Sequence, residues 1–360
     1  MRLKKYLILL LIYILGCMFL VAGCGKSDSK KDKVLESKTV TITDSAGRSV
    51  ELPQPLEKVA TLNGNVVEAM RILKVQDKVI GVSESIQKDA YLDMQEKDLV
   101  GKGFQPNYEK VVELRPQVFI SYSTYGPGAE LAEKLEPAGI KVVLLDLHKP
   151  ETYDNDFEVL AKMFGKEKEA NAFLKWKSEK IAALDKVKNI QSEQRVNVLS
   201  MTTDSIQKEK WKVAASDTAA HQAVDMAGGI NIAQEFKGYS EVSPEWILQQ
   251  NPGVLVVADY TRDLVGFNVK DFGNVEKFKE KLVQNIVLSK TDVVKNDRIY
   301  IIPNGLLGGD KSYLGAQYLA KWFYPDQFKE LDPDKVLKEY FEKWLDVPFQ
   351  GKWAYPPSTK

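Results

Sequence analysis

Two segments of this 360-residue chain, far apart in the sequence, share one design. The first runs from Asn107 to Pro116 and the second from Ser243 to Pro252, and a run of apolar residues follows each of them. Each begins with a residue that can cap a helix, has a glutamate two positions later (Glu109 and Glu245) and has a proline seven positions after that glutamate. A duplicated short helix that leads into a buried strand predicts two similar lobes. Matched glutamates, 245 − 109 = 136 positions apart, predict symmetric docking onto a partner.

The first 23 residues have the pattern of a signal sequence. Three basic residues precede the apolar run 6–22. The end of this run, together with Gly23 and Cys24, resembles a bacterial lipobox. The alternative is an uncleaved membrane anchor, because the run is nearly long enough to span a bilayer. The polar composition of residues 24–38 is typical of a flexible tether and favours a lipoprotein. We therefore expect lipid on Cys24 to hold the protein on the outer face of the bacterial cytoplasmic membrane, or on the periplasmic side in a cell with two membranes.

The rest of the composition excludes several classes of protein. Cys17 lies in the signal and Cys24 is the lipidation site, so the mature body can form no disulfide and no thiolate metal site. Removing the three basic residues of the signal leaves 50 − 3 = 47 basic and 50 acidic residues, which gives no reason to expect a nucleic-acid partner. A transition-metal site needs several histidines with carboxylates. The chain has only His148 and His221, so we expect no protein-bound metal ion.

Strand and helix patterns alternate along the body. Residues 39–43 and 49–52 flank a turn and predict a hairpin, and apolar runs then alternate with helical segments up to residue 150. The alternation starts again at Arg195. Such spacing predicts parallel sheets covered on both faces.

A segment rich in lysine, glutamate and alanine separates the two halves. No glycine or proline interrupts it between Lys166 and Gln194, which predicts one long, rigid helix and small motion between the lobes. The domain boundaries that follow are a signal at 1–23, a tether at 24–38, an N-terminal lobe at 39–150, a helical linker at 151–194, a C-terminal lobe at 195–350 and a tail at 351–360.

Several motifs occur in a fixed order behind the lipobox. They are TITDSAGR at 41–48, EKVA at 57–60, VIGV at 79–82, GFQPNYE at 103–109, AGGINIA at 227–233 and VSPE at 242–245. In this order they resemble the substrate-binding lipoproteins of metal-chelate ABC importers, which are receptors for ferric siderophores, haem and cobalamin. The resemblance covers residues 39–345. It implies an α/β fold with two parallel-sheet lobes, bridged by a single long helix, and a ligand cleft between them.

The resemblance also implies partners. In the cobalamin receptors of this family, the residues that match Glu109 and Glu245 meet arginines on the two membrane-spanning subunits. Carboxylates held at helix starts are preorganised for such contacts. The alternative is that each glutamate only stabilises its own helix, because a negative charge in the first turn interacts favourably with the helix dipole. We expect a monomer that docks onto an ABC permease with its ATPase subunits.

Loops at the carboxyl ends of predicted strands supply the candidate cleft residues, because ligands of open α/β sheets bind there. Phe104 and Tyr239 come first, since they align with cleft aromatics of the cobalamin receptors. For each tyrosine the alternative is an ordinary exposed loop residue. The other candidates are Asn63, Asn65, Tyr122, Tyr125, Tyr260, Arg262 and Asn304.

Charge narrows the ligand class. Highly anionic chelates need several arginines or lysines in the cleft, but Arg262 is the only arginine of the mature chain in a plausible cleft loop. An aromatic, modestly basic cleft favours a hydroxamate siderophore, a corrinoid or haem over a highly charged complex, and among these we expect a ferric siderophore, with cobalamin or haem as the alternative. The expected cargo is this chelate, and we expect no further cofactor.

No catalytic motif stands out. The chain lacks a Gly-x-Ser-x-Gly elbow, a P-loop and a complete Gly-x-Gly-x-x-Gly motif, so we expect no catalytic residue and no enzyme. A sensory lipoprotein that reuses the fold is the alternative of another class. A permease and an ATPase encoded next door would favour import, whereas a histidine kinase or chemoreceptor would favour sensing.

Overall fold

The computed structural model describes residues 38–208 and 210–357. The signal at 1–23, the lipidation site Cys24 and all but the last residue of the tether therefore lie outside the described residues. The body that begins at Lys38 forms a unit of its own, in which two sheets carry two lobes.

The N-terminal lobe is built on a six-stranded sheet with the order β6-β5-β4-β3-β7-β8. Its central strands are short apolar runs, which suits strands buried on both faces. All neighbours are parallel except β5 and β6, and β1 and β2 form the predicted antiparallel hairpin beside this sheet. The strands are β1 (Thr39–Thr43), β2 (Ser49–Pro53), β3 (Val59–Thr61), β4 (Val79–Ser83), β5 (Asp98–Lys102), β6 (Gln105–Pro106), β7 (Val118–Ser121) and β8 (Lys141–Leu144).

Helices follow the strands of this lobe and continue into the linker. They are α1 (Gly64–Ile72), α2 (Glu84–Gln87), α3 (Tyr108–Leu114), α4 (Glu130–Leu135), α5 (Tyr153–Phe164) and α6 (Glu167–Ala182).

The linker helix α6 is shorter than the sequence suggested. The expectation of an unbroken helix to Gln194 is wrong, since 3₁₀ turns at Asp185–Asn189 and Ser192–Gln194 follow Ala182. Leu184, Val187 and Ile190 are all buried and lie three positions apart. That spacing matches the three residues per turn of a 3₁₀ helix, so burial of these side chains favours the tighter winding.

The C-terminal lobe has a sheet with the order β12-β10-β9-β13-β14, and β11 also pairs with β9. The pairs β9–β11, β9–β13 and β13–β14 are parallel, whereas β10 runs antiparallel to both of its neighbours. Both lobes thus have a parallel centre and an antiparallel strand pair at one edge. The strands are β9 (Asn197–Thr202), β10 (Lys212–Ala214), β11 (Ile230–Asn231), β12 (Tyr239–Glu241), β13 (Val254–Asp259) and β14 (Ile299–Pro303).

Helices cover this second sheet as well. The helices of this lobe are α7 (Thr203–Gln207), α8 (Ala219–Met226), α9 (Pro244–Gln250), α10 (Gly273–Gln284), α11 (Asp292–Lys295), α12 (Asn304–Leu307), α13 (Ser312–Phe323) and α14 (Pro333–Glu339), and a π-helical turn at Tyr340–Leu345 follows. The linker helix α6 contacts both α1 and α13, so it packs on both lobes. Within residues 38–208 and 210–357, no helix is long and apolar enough to cross a membrane.

The two matched helices, α3 and α9, have the same construction. Each has seven residues, and the side chains of Asn107 and Ser243 cap them by accepting a backbone N–H from their first turn. Each ends at a left-handed residue, Arg115 with φ 51° and Asn251 with φ 42°. In each lobe an antiparallel edge pair, β5–β6 or β10–β12, lies directly before the helix. The duplication predicted from the sequence is therefore confirmed.

The last described residues belong to the C-terminal lobe. Lys352 pairs with Gly266, and Tyr355 pairs with Ile301 of β14 in an antiparallel bridge. Trp353 is buried between these contacts. The start of the segment expected to be a tail, 351–360, therefore packs against this lobe as far as Tyr355.

Candidate functional site

A cavity of about 330 Å³ lies between the two lobes. Its walls come from the segment after β4 in the N-terminal lobe and from the loops after β13 and β14 in the C-terminal lobe. These are the carboxyl ends of parallel strands, where open α/β sheets bind ligands. The lining residues that matter below are Lys88, Asp89, Tyr91, Asp259, Tyr260, Arg262, Phe267, Asn304, Lys311, Phe341 and Trp353.

An ion pair joins the lobes at this cavity. Nη1 of Arg262 donates a hydrogen bond to Oδ2 of Asp89 at 3.0 Å. The Asp89 side chain is 11% exposed, whereas 70% of the Arg262 side chain is exposed. Burial raises the pKa of Asp89, although the charge of Arg262 acts against this effect. Because the Arg262 side chain is largely exposed, a ligand can reach it while the ion pair stays intact.

A buried aspartate fixes the loop at the cleft in each lobe. Asp146 accepts hydrogen bonds from the backbone N–H and hydroxyl groups of Ser123 and Thr124. Burial works to raise the pKa of Asp146, but the hydrogen bonds from Ser123 and Lys149 outweigh it, so the pKa is lowered. Asp259 likewise holds the loop after β13, accepting from Thr261 Oγ1 at 2.6 Å and from two backbone N–H groups further along. Both loops are therefore preorganised.

A buried charge network ties the lobes together behind the cavity. Nζ of Lys311 donates to Glu68 on α1 at 2.7 Å and to Asp310 at 2.9 Å. The hydroxyl of Tyr340 donates to the other Glu68 oxygen at 2.6 Å. Burial raises the pKa of Asp310 to about 6, with Lys311 acting against this rise and Glu68 adding to it. Because unpairing a buried charge is costly, Lys311 is held away from any ligand.

Aromatic side chains form a cluster at the cleft end of the N-terminal sheet. Phe104, in the turn between β5 and β6, stacks on Tyr125 with ring centroids 5.0 Å apart. Tyr122 lies edge-on to both rings, and His148 contacts both tyrosines. The other lobe touches this cluster, since a Cβ on Gly309 would lie 2.9 Å from the backbone oxygen of His148. Phe104 and Tyr125 remain 45% and 44% exposed.

The C-terminal lobe presents a tyrosine pair. The hydroxyl groups of Tyr239 on β12 and Tyr260 after β13 are 2.9 Å apart. Burial and this hydrogen bond raise the pKa of Tyr239, so its phenol stays protonated at neutral pH. Tyr239 is 40% exposed and Tyr260 is 49% exposed. Tyr260 lines the cavity, whereas Tyr239 lies outside its lining and contacts it only through the Tyr260 hydroxyl.

The three predicted asparagines have different positions. Asn304 lines the cavity, and its buried Oδ1 has no hydrogen-bond partner within residues 38–208 and 210–357. Asn65 bonds across the lobes to Asp310 at 3.1 Å. Asn63 is fully buried: its amide donates to the carbonyls of Leu145 and Asp146, and its oxygen caps α1. Asn63 is therefore structural, and its prediction as a cleft wall is wrong.

Several cavity residues were not predicted. Lys88 and Asp89 directly follow the short helix α2, which begins where β4 ends. Trp353 and Phe341 reach the cavity from the C-terminal end of the chain. For Trp353, the one available signal was a large aromatic residue in the segment 351–360, which we expected to be a tail.

The matched glutamates lie on the surface, at the first turns of α3 and α9. Both are exposed. Hydrogen bonds from its own backbone N–H and from the Ser243 hydroxyl lower the pKa of Glu245, so its carboxylate is charged at neutral pH. These contacts also fix the direction of the carboxylate.

The histidines have ordinary surroundings. His148 belongs to the aromatic cluster, and Nδ1 of His221 lies 3.3 Å from the Asn231 side chain. In the portion of the chain that the structure describes, no group of three or more histidine, cysteine or carboxylate side chains could hold a metal ion.

Known proteins show the same organisation. YvrC of Bacillus subtilis, named an uncharacterized ABC transporter substrate-binding lipoprotein, is 26% identical over 322 residues, covering 86% of this chain and 95% of that protein. The molybdate-binding protein MolA of Haemophilus influenzae is 23% identical, covering 86% and 92%. The crystal structure of the TroA-like periplasmic binding protein FepB from Veillonella parvula matches with a TM-score of 0.74 and 24% identity, covering 88% of this chain and 99% of that one.

A family model agrees with these relatives. The model of the periplasmic binding proteins matches residues 59–306, which include parts of both lobes and the whole linker. This match confirms the resemblance that the ordered motifs indicated and the expectation that the chain is no enzyme. The chain therefore belongs to the periplasmic binding protein family and is the substrate-binding component of an ABC transporter.

Proposed function

We propose that this protein captures a metal chelate, foremost a ferric siderophore, in the cleft between its lobes and delivers it to the permease of an ABC importer. One observation carries the proposal. Among the exposed large hydrophobic side chains between residues 38 and 357, only four are aromatic, and all four are predicted cleft residues: Phe104, Tyr125, Tyr239 and Tyr260. Exposed aromatic rings in preorganised loops bury a large ligand at a low cost in conformational entropy.

The charges of the cavity support a bulky chelate over a small anion. The relative MolA is named for molybdate, and a free oxyanion needs several converging donors whose charge is not already neutralised. Here Arg262 pairs with Asp89, and Lys311 pairs with Glu68 and Asp310. Rings on both lobes instead favour a ligand with apolar or planar faces.

The two surface glutamates are the proposed contacts to the permease. Glu109 and Glu245 occupy equivalent corners on capped helices of equal length. Two carboxylates on the first turns of capped helices would give a partner with two basic sites both attraction and orientation. Neither residue lines the cavity, so delivery and capture use different surfaces.

Lipid on Cys24 is the proposed anchor. The lipobox at residues 20–24 and the polar tether behind it support this assignment. Cys24→Ser should abolish incorporation of a labelled fatty acid and release the protein from the membrane, or leave it unprocessed. Cys17→Ser, inside the signal, is the matched control and should retain the label. A Cys24→Ser protein that fractionates and migrates like wild type would refute the anchor.

A binding titration tests the proposed cargo. The full-length protein, purified in detergent, would be titrated with ferrichrome, haem and cobalamin while tryptophan fluorescence is recorded, because Trp353 lines the cavity. We expect quenching by ferrichrome and one ferrichrome per chain in native mass spectrometry. Trp353→Phe should keep this stoichiometry and lose part of the quenching. Binding of only haem or cobalamin would reassign the cargo within the importer class, and binding of no chelate would reject the proposal.

Import must also be separated from sensing. A strain without this protein should lose uptake of radioactive iron supplied as the bound chelate. Normal uptake in that strain would favour a sensory role instead.

A further inference from the structure

Each cation that lines the cavity faces a carboxylate of the protein. Lys88, just after α2, pairs with Glu84 at the start of that helix, and Arg262 pairs with Asp89 across the lobes. Lys311 lies between Glu68 and Asp310. The cavity therefore offers polar donors with little uncompensated positive charge.

These three cations differ in how free they are to meet a ligand. Lys311 is buried and bound to two carboxylates. If it turned toward a ligand, both carboxylates would be left buried and unpaired, which is costly. Lys88 is exposed and already bound to Glu84 on its own lobe. Arg262 is as exposed as Lys88, with 70% of each side chain exposed, but its partner Asp89 belongs to the opposite lobe, so Arg262 lies where the two lobes meet.

Arg262 keeps donors for a ligand even while it is paired. A guanidinium has five N–H donors, and within the described ranges only its Nη1 has a protein partner, Asp89 at 3.0 Å. A neutral ligand oxygen can accept from the remaining donors without disturbing the pair. An anionic group at the same place would also meet the negative charge of Asp89.

We propose that Asp89 sets the charge selectivity of the cleft, so that it accepts ferric chelates of zero net charge and rejects anionic chelates and free oxyanions. The inference rests on the proposed function, since it specifies the charge of the proposed cargo. At the effective dielectric of a partly exposed site, one unit charge several ångströms away changes binding on the order of tenfold. Asp89 thus acts as a specificity-determining residue through repulsion, which complements the attraction of the aromatic walls.

The test compares how tightly the full-length protein binds two ferric chelates and one free oxyanion. The probes are ferrichrome, which is a neutral ferric trihydroxamate, the trianionic ferric enterobactin complex, and molybdate. Wild type should bind ferrichrome about tenfold or more tighter than ferric enterobactin and should not retain molybdate. Asp89→Asn should lower the ratio of the dissociation constant for ferric enterobactin to that for ferrichrome about tenfold.

Two further variants keep the test decisive. Asp185→Asn removes the same charge from an exposed pair with Lys188 on the linker and should change neither affinity. Arg262→Gln changes a largely exposed side chain and leaves Asp89 unpaired, so it should weaken ferric enterobactin binding relative to wild type. This variant keeps the test possible even if Asp89→Asn fails to fold.

The outcomes distinguish two kinds of failure. A wild-type preference for ferric enterobactin or molybdate, or a selectivity ratio unchanged in both cleft variants, overturns the role of Asp89 while the importer function stands. If wild type binds no metal chelate at all, the proposed cargo fails, and the inference fails with it.

Discussion

Replacing Glu109 or Glu245 by arginine should stop uptake of the ligand while leaving its capture intact. Each glutamate lies at the exposed first turn of a capped seven-residue helix, outside the cavity. An arginine there would turn attraction toward a basic site on the permease into repulsion, and like charges at an interface strongly disfavour association. Because docking through two corners needs both, either single reversal should reduce uptake to the level of a strain that lacks the protein.

A matched reversal separates docking from the local effect on a helix. Glu167 is also an exposed glutamate in the first turn of a helix, but it lies on α6 in the linker. Glu167→Arg disturbs a helix dipole in the same way and should leave uptake normal. Ligand titration of all three variants should give wild-type dissociation constants. If Glu109→Arg and Glu245→Arg transport normally, or if they lose ligand binding, the division between docking and capture is wrong.

Local sequence patterns were sufficient for much of the fold. The hairpin at 39–53 and the helices α3 and α9 follow from turn residues, capping residues and apolar periodicity that lie within about ten positions of one another. Tyr125 and Tyr260 could be proposed as cleft residues because the segments that carry them follow the apolar strands β7 and β13. Phe104 and Tyr239 precede the matched glutamates by five and six positions (109 − 104 and 245 − 239).

The remaining features depend on contacts between distant segments. Asp89 meets Arg262 across 173 positions, and Trp353 reaches the cavity because Lys352 pairs with Gly266. No local pattern encodes such pairs. Asn63 was misassigned for the same reason: its position after a strand suggested the cleft, but its amide is used by carbonyls 82 and 83 residues away.

Truncating the aromatic walls should cost most of the binding energy for the ligand. Phe104→Ala removes a ring that stacks on Tyr125, and Tyr239→Ala removes the partner of the Tyr260 hydroxyl. Loss of an aromatic contact at a binding hot spot costs about 1–3 kcal/mol, so each variant should raise the dissociation constant roughly ten- to a hundredfold. The double variant should retain little measurable binding, because one wall is lost from each lobe.

Stability and a conservative change show whether this loss is specific to the cleft. Both side chains are about half exposed, so the free energy of unfolding without ligand should change by less than about 1 kcal/mol. Ile286→Ala removes an exposed apolar side chain away from the cleft and should leave affinity unchanged. Tyr239→Phe keeps the ring and loses only the hydrogen bond to Tyr260, so its affinity should fall between wild type and Tyr239→Ala. If Phe104→Ala and Tyr239→Ala both bind the cargo like wild type, the aromatic walls are not the ligand site, even though the family and the fold stand.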